Sequence, residues 1–295
     1  MNSKQIPLVS AIIASYNHSA YVIDSITSVL RQTYPNIELI VIDDGSSDDS
    51  ATRIKPLAEK HKFYFAAQEN MGLARTLNKA ISIARGKYFA ALGSDDIAMP
   101  DKTEKQVAFM EAHPEIAVCG GNVLNINDEG VILKKQKLHP YRELDFESIM
   151  TNKPGIASPT AMIRKSVLDE AAGYDPDIQL EDMSMWLKLT YQGYRIAGLN
   201  DILVYYRKHP ANTYRDYEFM YKNMMKTYAA YREHPLYQPV VNRYRNSALI
   251  ALAKSGNKAF ARKVLREINP RYYKLKTLRG LMFLLRPKFI PRRKR

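Results

Sequence analysis

Three pairs of adjacent carboxylates stand out in this chain of 295 residues: Asp43-Asp44, Asp95-Asp96 and Glu181-Asp182. The first two pairs each follow a short apolar run, residues 38–42 and 88–92, that reads as a strand, and the third opens a helix-like stretch. Acids delivered in pairs to strand ends suit a divalent cation and a phosphorylated ligand. Mg2+, and Mn2+ likewise, binds through one or two carboxylates while phosphates and water complete its shell, which makes Asp95 and Asp96 metal candidates. An ionised carboxylate only accepts hydrogen bonds, so Asp43 or Asp44 can pair with a ring N–H of uracil, thymine or guanine and disfavours the unprotonated ring nitrogen of cytosine. Arg75, three residues after Gly72 near a predicted helix start, puts a guanidinium where backbone N–H groups can also face a nucleotide. Arg207 can meet phosphate charge and His209 can ligate a metal. Each feature also has a purely structural reading: a turn with a helix cap at residues 44–47, an acidic strand-end turn at 95–96, a solvated Arg75, a macrodipole partner in Glu181-Asp182, and a structural His209. Trp186, the only tryptophan, suits either the core or a sugar platform.

The elements that must position these groups follow from periodicity. Residues 8–14, 38–42, 63–67 and 88–92 read as strands, and 21–31, 48–60 and 73–85 as helices, the last with Leu73, Leu77, Ala80, Ile81 and Ala84 on one face. Ser46 or Ser47 is placed to cap the second helix, and Gly86 stands where a C-terminal glycine is expected after the third. This alternation predicts an α/β fold whose parallel sheet carries helices on both faces, with ligands bound beyond the carboxyl ends of the strands. After Pro100 the pattern loosens. A helix is expected at 102–112, a strand pair around the Asn127-Asp128-Glu129-Gly130 turn, and a Pro/Gly-rich link over 153–159. From Tyr217 the pattern is helical, with a helical hairpin over 240–268 broken at Ser255-Gly256-Asn257.

Composition narrows the class. A hydrophobic content of 46% is that of a globular chain, and no apolar run approaches the roughly 18 residues of a spanning helix. The polar start, residues 1–7, lacks the organisation of a secretory signal and predicts a cytosolic protein, while the single Cys119 reads as a buried strand residue. From Lys254 onward there are fifteen Lys or Arg against Glu267 alone, which accounts for the whole net charge of +14. Over 272–285, Leu275, Leu278, Leu281, Met282 and Leu285 recur at helical spacing between Lys274, Lys276, Arg279 and Arg286, before Phe289, Ile290 and the basic residues 292–295. A basic amphipathic helix of this kind predicts attachment to an anionic membrane surface; its stripe could otherwise pack on the rest of the chain or on a second copy in a homo-oligomer. No nucleic-acid partner is expected, because the basic residues lack a recognisable reader motif.

The blocks Val9-Ser10-Ala11-Ile12-Ile13-Ala14-Ser15-Tyr16-Asn17, Gln32-Thr33-Tyr34-Pro35-Asn36, Val41-Ile42-Asp43-Asp44-Gly45-Ser46-Ser47-Asp48, Asn70-Met71-Gly72-Leu73-Ala74-Arg75 and Leu92-Gly93-Ser94-Asp95-Asp96 occur in this order, followed by Gly173-Tyr174-Asp175, Glu181-Asp182 through Trp186 and Tyr206-Arg207-Lys208-His209. Over about residues 7–210 the chain resembles the inverting, non-processive family 2 glycosyltransferases of the GT-A fold, of the bacterial surface-polysaccharide type. The resemblance implies a catalytic domain over 1–215, with a nucleotide-binding half at about 1–100 and an acceptor half at 101–215, followed by a helical basic region at 216–295. It implies that Ala14, Ser15, Tyr16, Asn17, Asp43, Asp44, Asn70, Gly72, Arg75, Ser94, Asp95, Arg207 and His209 hold a nucleotide-sugar donor, with a UDP-sugar expected. It also implies that Asp95, Asp96 and His209 hold Mn2+ or Mg2+, and that Asp182, with Glu181 beside it, is the general base. The acceptor implied is a glycan hydroxyl, polyprenyl-linked, reached by an enzyme peripheral to the inner face of the cytoplasmic membrane. The family usually has another acid where Gly93 stands, which leaves metal dependence open. Two other readings remain at this level: a nucleotidyltransferase, whose glycine-rich basic loop is missing from residues 11–17, and a catalytically silent carbohydrate-binding or scaffold protein of the same fold.

Overall fold

The computed structural model describes residues 6–134, 136, 138–151 and 155–285. The chain divides into two compact units, Met1–His209 and Pro210–Arg295. The first begins as the sequence pattern predicts, with β1 (Val9–Ser15), α1 (Val22–Leu30), β2 (Ile37–Asp43), α2 (Ser50–His61), β3 (Tyr64–Ala67), α3 (Leu73–Ile83) and β4 (Tyr88–Gly93). The strands β3, β2, β1 and β4 lie side by side and parallel. Their pleat explains the near-continuous apolar runs. Ala11, Ile13, Leu39, Val41 and Leu92 pack with Val22, Ile26 and Val29 of α1 and Ile54 of α2, while Ile12, Ile40, Ile42 and Phe89, on the opposite side by alternation, are buried as well. Both faces of the sheet are therefore covered, the condition under which parallel strands read as unbroken hydrophobic segments.

The remainder of the unit is mixed. β5 (Ile97–Ala98) and α4 (Lys102–Ala112) lead to the long β6 (Ile116–Ile126), followed by β7 (Arg142–Leu144), α5 (Phe146–Met150), β8 (Met162–Arg164), α6 (Lys165–Glu170), α7 (Glu181–Tyr191) and β9 (Arg195–Arg207). All nine strands join one sheet in the order β3-β2-β1-β4-β8-β6-β9-β5, with β7 also on β9. The short β8 is antiparallel to both β4 and β6, β9 runs parallel to β6, and its far end returns antiparallel to β5. Cys119 is fully buried in β6, as its apolar context predicts.

Several local expectations are corrected. α2 begins after Asp49 with no side-chain cap; Ser46 bonds to Asp43 and Ser47 to Asn17, so neither serine is available to the helix. α3 ends at Ile83 in an extended residue, and Gly86 is required for close approach instead: its amide donates to Ser10 Oγ at 2.9 Å, and a Cβ there would sit 2.6 Å from the Ser10 nitrogen. The strand pair expected around residues 127–130 shrinks to a single bridge, Ile126 to Ile132, after a turn in which Gly130 takes φ +83°. Residues 153 and 154 of the expected Pro/Gly link lie outside the described residues.

The second unit contains α8 (Tyr217–Ala229), α9 (Tyr237–Lys254), α10 (Lys258–Glu267) and α11 (Leu275–Leu285). The predicted hairpin is α9 and α10, broken at Ser255-Gly256-Asn257, where the Asn257 side chain accepts from Phe260 N at 3.2 Å and caps α10. Tyr221, Leu249, Leu252, Ala261, Val264 and Leu284 form its core. α11 docks closely on α9: a Cβ at Gly280 would meet Leu249 at 2.5 Å. Leu281 packs against the same core, whereas Leu275, Leu278, Met282 and Leu285 are 56–84% exposed and form an outward stripe.

Candidate active site at the carboxyl edge of the sheet

Strand register assembles the site. Ser15 pairs with Asp43 across β1 and β2, and Ala14 with Gly93 across β1 and β4, so three parallel strands end level with one another. The loops that follow are laced together by short polar side chains. Asn17, at φ +53°, accepts from Ser47 N at 2.8 Å and donates its own amide to Ser46 Oγ at 2.9 Å. Asp48 accepts from the Ser19 and Ser50 amides, both at 2.9 Å. Its burial pushes the Asp48 carboxyl up, but these hydrogen bonds outweigh that and hold it down at about 2.

Asp43 and Asp44 are both buried. Asp43 closes its own turn by accepting from Ser46 N at 2.9 Å and Ser46 Oγ at 2.6 Å. Asp44 accepts from Met71 N at 3.0 Å, Gly72 N at 2.9 Å and Gln68 Nε2 at 2.8 Å, which fastens the loop containing Asn70 to the end of β2. Gly45 is indispensable to that closure, with φ +77° and an Asn70 nitrogen 2.6 Å from where a Cβ would stand. Gly72, at φ +87°, then precedes α3, whose first turn carries Arg75. That guanidinium lies 3.6 Å from Asp177 and donates to Pro176 O at 3.4 Å. Ser15 ends β1 with a buried hydroxyl that has no partner among the described residues, while Tyr16 is half exposed.

A second group is built by β9. Ile97 opposes Tyr205 and Ala98 opposes Val204, so the antiparallel register carries Arg207 back beside Asp95 and Asp96. The Arg207 amide donates to Asp96 Oδ1 at 2.9 Å, and its guanidinium bonds to Asp95 O at 2.9 Å and Asp128 O at 2.7 Å. Arg207 is only 2% exposed and stacks over Tyr21, so its charge is committed to holding this corner together. Burial, then the neighbouring Asp95, pushes the Asp96 carboxyl well above the usual carboxylate range. Two residues on, His209 Nε2 lies 2.9 Å from Asp95 Oδ2 and stacks on Tyr21.

The ligand atoms of His18, Asp95 and His209 lie within 4.8 Å of one another, a donor set fit for a divalent cation, and Asp96 is outside that group among the described residues. His18 is the residue sequence reasoning missed. Its only signal was its place immediately after Asn17, at the end of a strand block. Gly93 also gains a reason: a Cβ there would stand 2.6 Å from Asp96 Oδ2 and 2.8 Å from Asp95 Oδ1.

A third group lies at the start of α7. Glu181 and Asp182 are adjacent in its first turn, and Asp182 Oδ1 accepts from Met183 N at 2.6 Å. Burial, reinforced by Asp182, pushes the Glu181 carboxyl up to about 8, and burial raises Asp182 too. The segment leading to them is tied to α3, where Asn78 exchanges two 2.8 Å hydrogen bonds with the Tyr174 backbone. Trp186 is in the core, 4% exposed.

The profile described as Glycosyl transferase family 2 matches residues 10–171, more than half of the chain. This chain belongs to glycosyl transferase family 2. Among its relatives is the putative teichuronic acid biosynthesis glycosyltransferase TuaG of Bacillus subtilis, 35% identical over 206 residues that span 68% of this chain and 79% of TuaG. The fold is GT-A. It is similar to S. aureus TarS 1-349 in complex with UDP-GlcNAc, with TM-score 0.65 at 18% identity over 90% of this chain and 82% of that one. It is also similar to the mannosyltransferase PcManGT of Pyrobaculum calidifontis in complex with GDP-Man and Mn2+, with TM-score 0.59 at 16% identity over 95% and 86% of the two chains.

Proposed function

We propose that this family 2 enzyme moves one sugar from a UDP-sugar to a hydroxyl of a lipid-linked glycan during assembly of a cell-surface polysaccharide, inverting the anomeric carbon. The observation that carries this reading is the register that ends β1, β2 and β4 level and returns β9 to Asp95. UDP-GlcNAc bound to TarS and the teichuronic acid assignment of TuaG favour the same donor and pathway class.

In this reading Asp43 and Asp44 face the base and ribose, Arg75 and the α3 N-terminus face the nucleotide, and Arg207 positions Asp95 and Asp96 from behind. Asp95 and His209 would hold a divalent cation, which would supply charge neutralisation at the diphosphate; Mn2+ in PcManGT favours this choice. Asp182 accepts the proton of the acceptor hydroxyl as that oxygen bonds to the anomeric carbon. The bond from that carbon to the diphosphate oxygen breaks on the opposite side, its electron pair leaving with UDP, and a single such displacement inverts the centre. Burial raises both carboxyls, and the adjacent Asp182 adds to the rise at Glu181, so the pair holds a proton more tightly than either acid would in water.

The C-terminal unit serves attachment. No helix among the described residues is long and apolar enough to cross a membrane. The outward stripe of α11, flanked by Lys274, Lys276 and Arg279, suits the interface of an anionic bilayer at the cytoplasmic face.

The test is a thermal-shift panel of nucleoside diphosphates and their sugars with Mn2+, followed by donor hydrolysis. UDP and a UDP-sugar are expected to raise the melting temperature and CDP to leave it unchanged. No shift with any nucleotide overturns the reading; binding without hydrolysis or transfer to any acceptor favours a silent carbohydrate-binding protein.

A further inference from the structure

His18 is anchored independently of the two residues it approaches. It sits in the loop after β1, its amide donates to Ser50 Oγ at 3.2 Å, and its ring Nδ1 lies 2.7 Å from Ser94 Oγ. That contact orients the imidazole and leaves Nε2 for a ligand, the usual arrangement of a metal-binding histidine whose other nitrogen is held by a neighbour. The His18 and His209 rings meet edge to face at 5.5 Å, and Tyr21 packs against both, stacked on His209 at 5.2 Å and edge-on to His18 at 6.0 Å. Three strand ends thus converge with one donor each: His18 after β1, Asp95 after β4 and His209 after β9. Metal bonds of about 2.0–2.2 Å allow ligand atoms at most about 4.4 Å apart. The observed 4.8 Å limit closes with side-chain shifts of a fraction of an ångström.

The second carboxylate that the Asp95-Asp96 pair suggests is turned to the Arg207 amide, so nitrogen replaces it in the donor set. We propose that His18 is a third protein ligand, making a two-imidazole, one-carboxylate centre that selects a transition ion such as Mn2+ or Co2+ over Mg2+. This rests on the reading above that Asp95 and His209 hold a divalent cation. Mg2+ is a hard ion that prefers carboxylate and water oxygens and dehydrates reluctantly, whereas imidazole favours first-row transition ions in rising order from Mn2+ to Co2+.

Calorimetric titration of the full chain with Mg2+, Mn2+ and Co2+, without nucleotide, tests it. The unsubstituted protein is expected to bind Co2+ at least about 100-fold more tightly than Mg2+. His18→Gln should weaken Co2+ binding about 10- to 100-fold and leave Mg2+ within about threefold. Electron spin-echo spectra of bound Mn2+ should show directly coupled nitrogen from two imidazoles, reduced to one in His18→Gln and in His209→Gln. Ser94→Ala, which keeps the ring and removes its anchor, should give a smaller loss of Co2+ affinity, and melting temperatures confirm that each variant folds. Equal losses for Mg2+ and Co2+, or an unchanged nitrogen signal in His18→Gln while His209→Gln abolishes binding, overturns the His18 assignment alone. Unchanged affinity in both histidine variants overturns the cation site itself, and donor binding then judges the glycosyltransferase reading separately.

Discussion

Asp182, the proposed base, and its neighbour Glu181 both have carboxyls raised by burial, Glu181 to about 8 with Asp182 adding to the rise. Asp182→Asn is expected to lower turnover by about 100-fold or more while UDP affinity is retained, since the amide cannot take the acceptor proton; turnover at the parental rate would remove the base assignment. The raised Glu181 group also has a stability signature. Between its ordinary 4.5 and about 8 the folded chain holds a proton that the unfolded chain has released, so stability falls as pH rises through that window. Glu181→Gln should flatten this slope in thermal unfolding followed from roughly pH 5 to 8.

At the scale of elements, the site depends on loops closing over level strand ends, and two glycines test this differently. Gly45→Ala brings a Cβ within 2.6 Å of backbone, at a residue already at φ +77°. It is expected to cost about 1–3 kcal/mol, read as a lower melting temperature, and to weaken UDP binding by loosening the Asp44 contacts to Met71 and Gly72. At Gly93 the obstructing atoms are the carboxylate ends of Asp95 and Asp96, which can rotate away. Gly93→Ala should therefore lower Mn2+ affinity more than it lowers the melting temperature; the reverse order would show that Gly93 matters for packing alone.

For the whole molecule, the distribution of charge matches the two tasks proposed for it. Residues 1–253 are formally neutral and hold the chemical groups; all the excess basicity follows them. The exposed Leu278 and Met282 give a clean test of attachment, because neither fills the core formed by Leu249, Leu252 and Leu284. Leu278→Gln with Met282→Gln should abolish flotation with anionic vesicles without changing the melting temperature or donor hydrolysis. Added salt should weaken flotation of the parental chain by screening the basic groups. Flotation that is indifferent to both substitutions would remove the membrane role from α11.

Periodicity alone determined the β1 to β4 half, its helices, and the α9 and α10 hairpin, because each buries a regular stripe or run that local spacing encodes. The acids at the ends of β2 and β4 were equally legible, since their place follows from the strands before them. What only the tertiary structure decided is the partnership across the sheet. β8 has three residues and β9 carries Asn200 and Asp201 in its middle, so neither announces a strand, and the insertion of β8 between β4 and β6 is a matter of long-range pairing. The return of β9 onto β5 brings His209 to Asp95, turns Asp96 toward the Arg207 amide and makes His18 a neighbour of both, contacts separated by up to 191 residues that no local pattern contains.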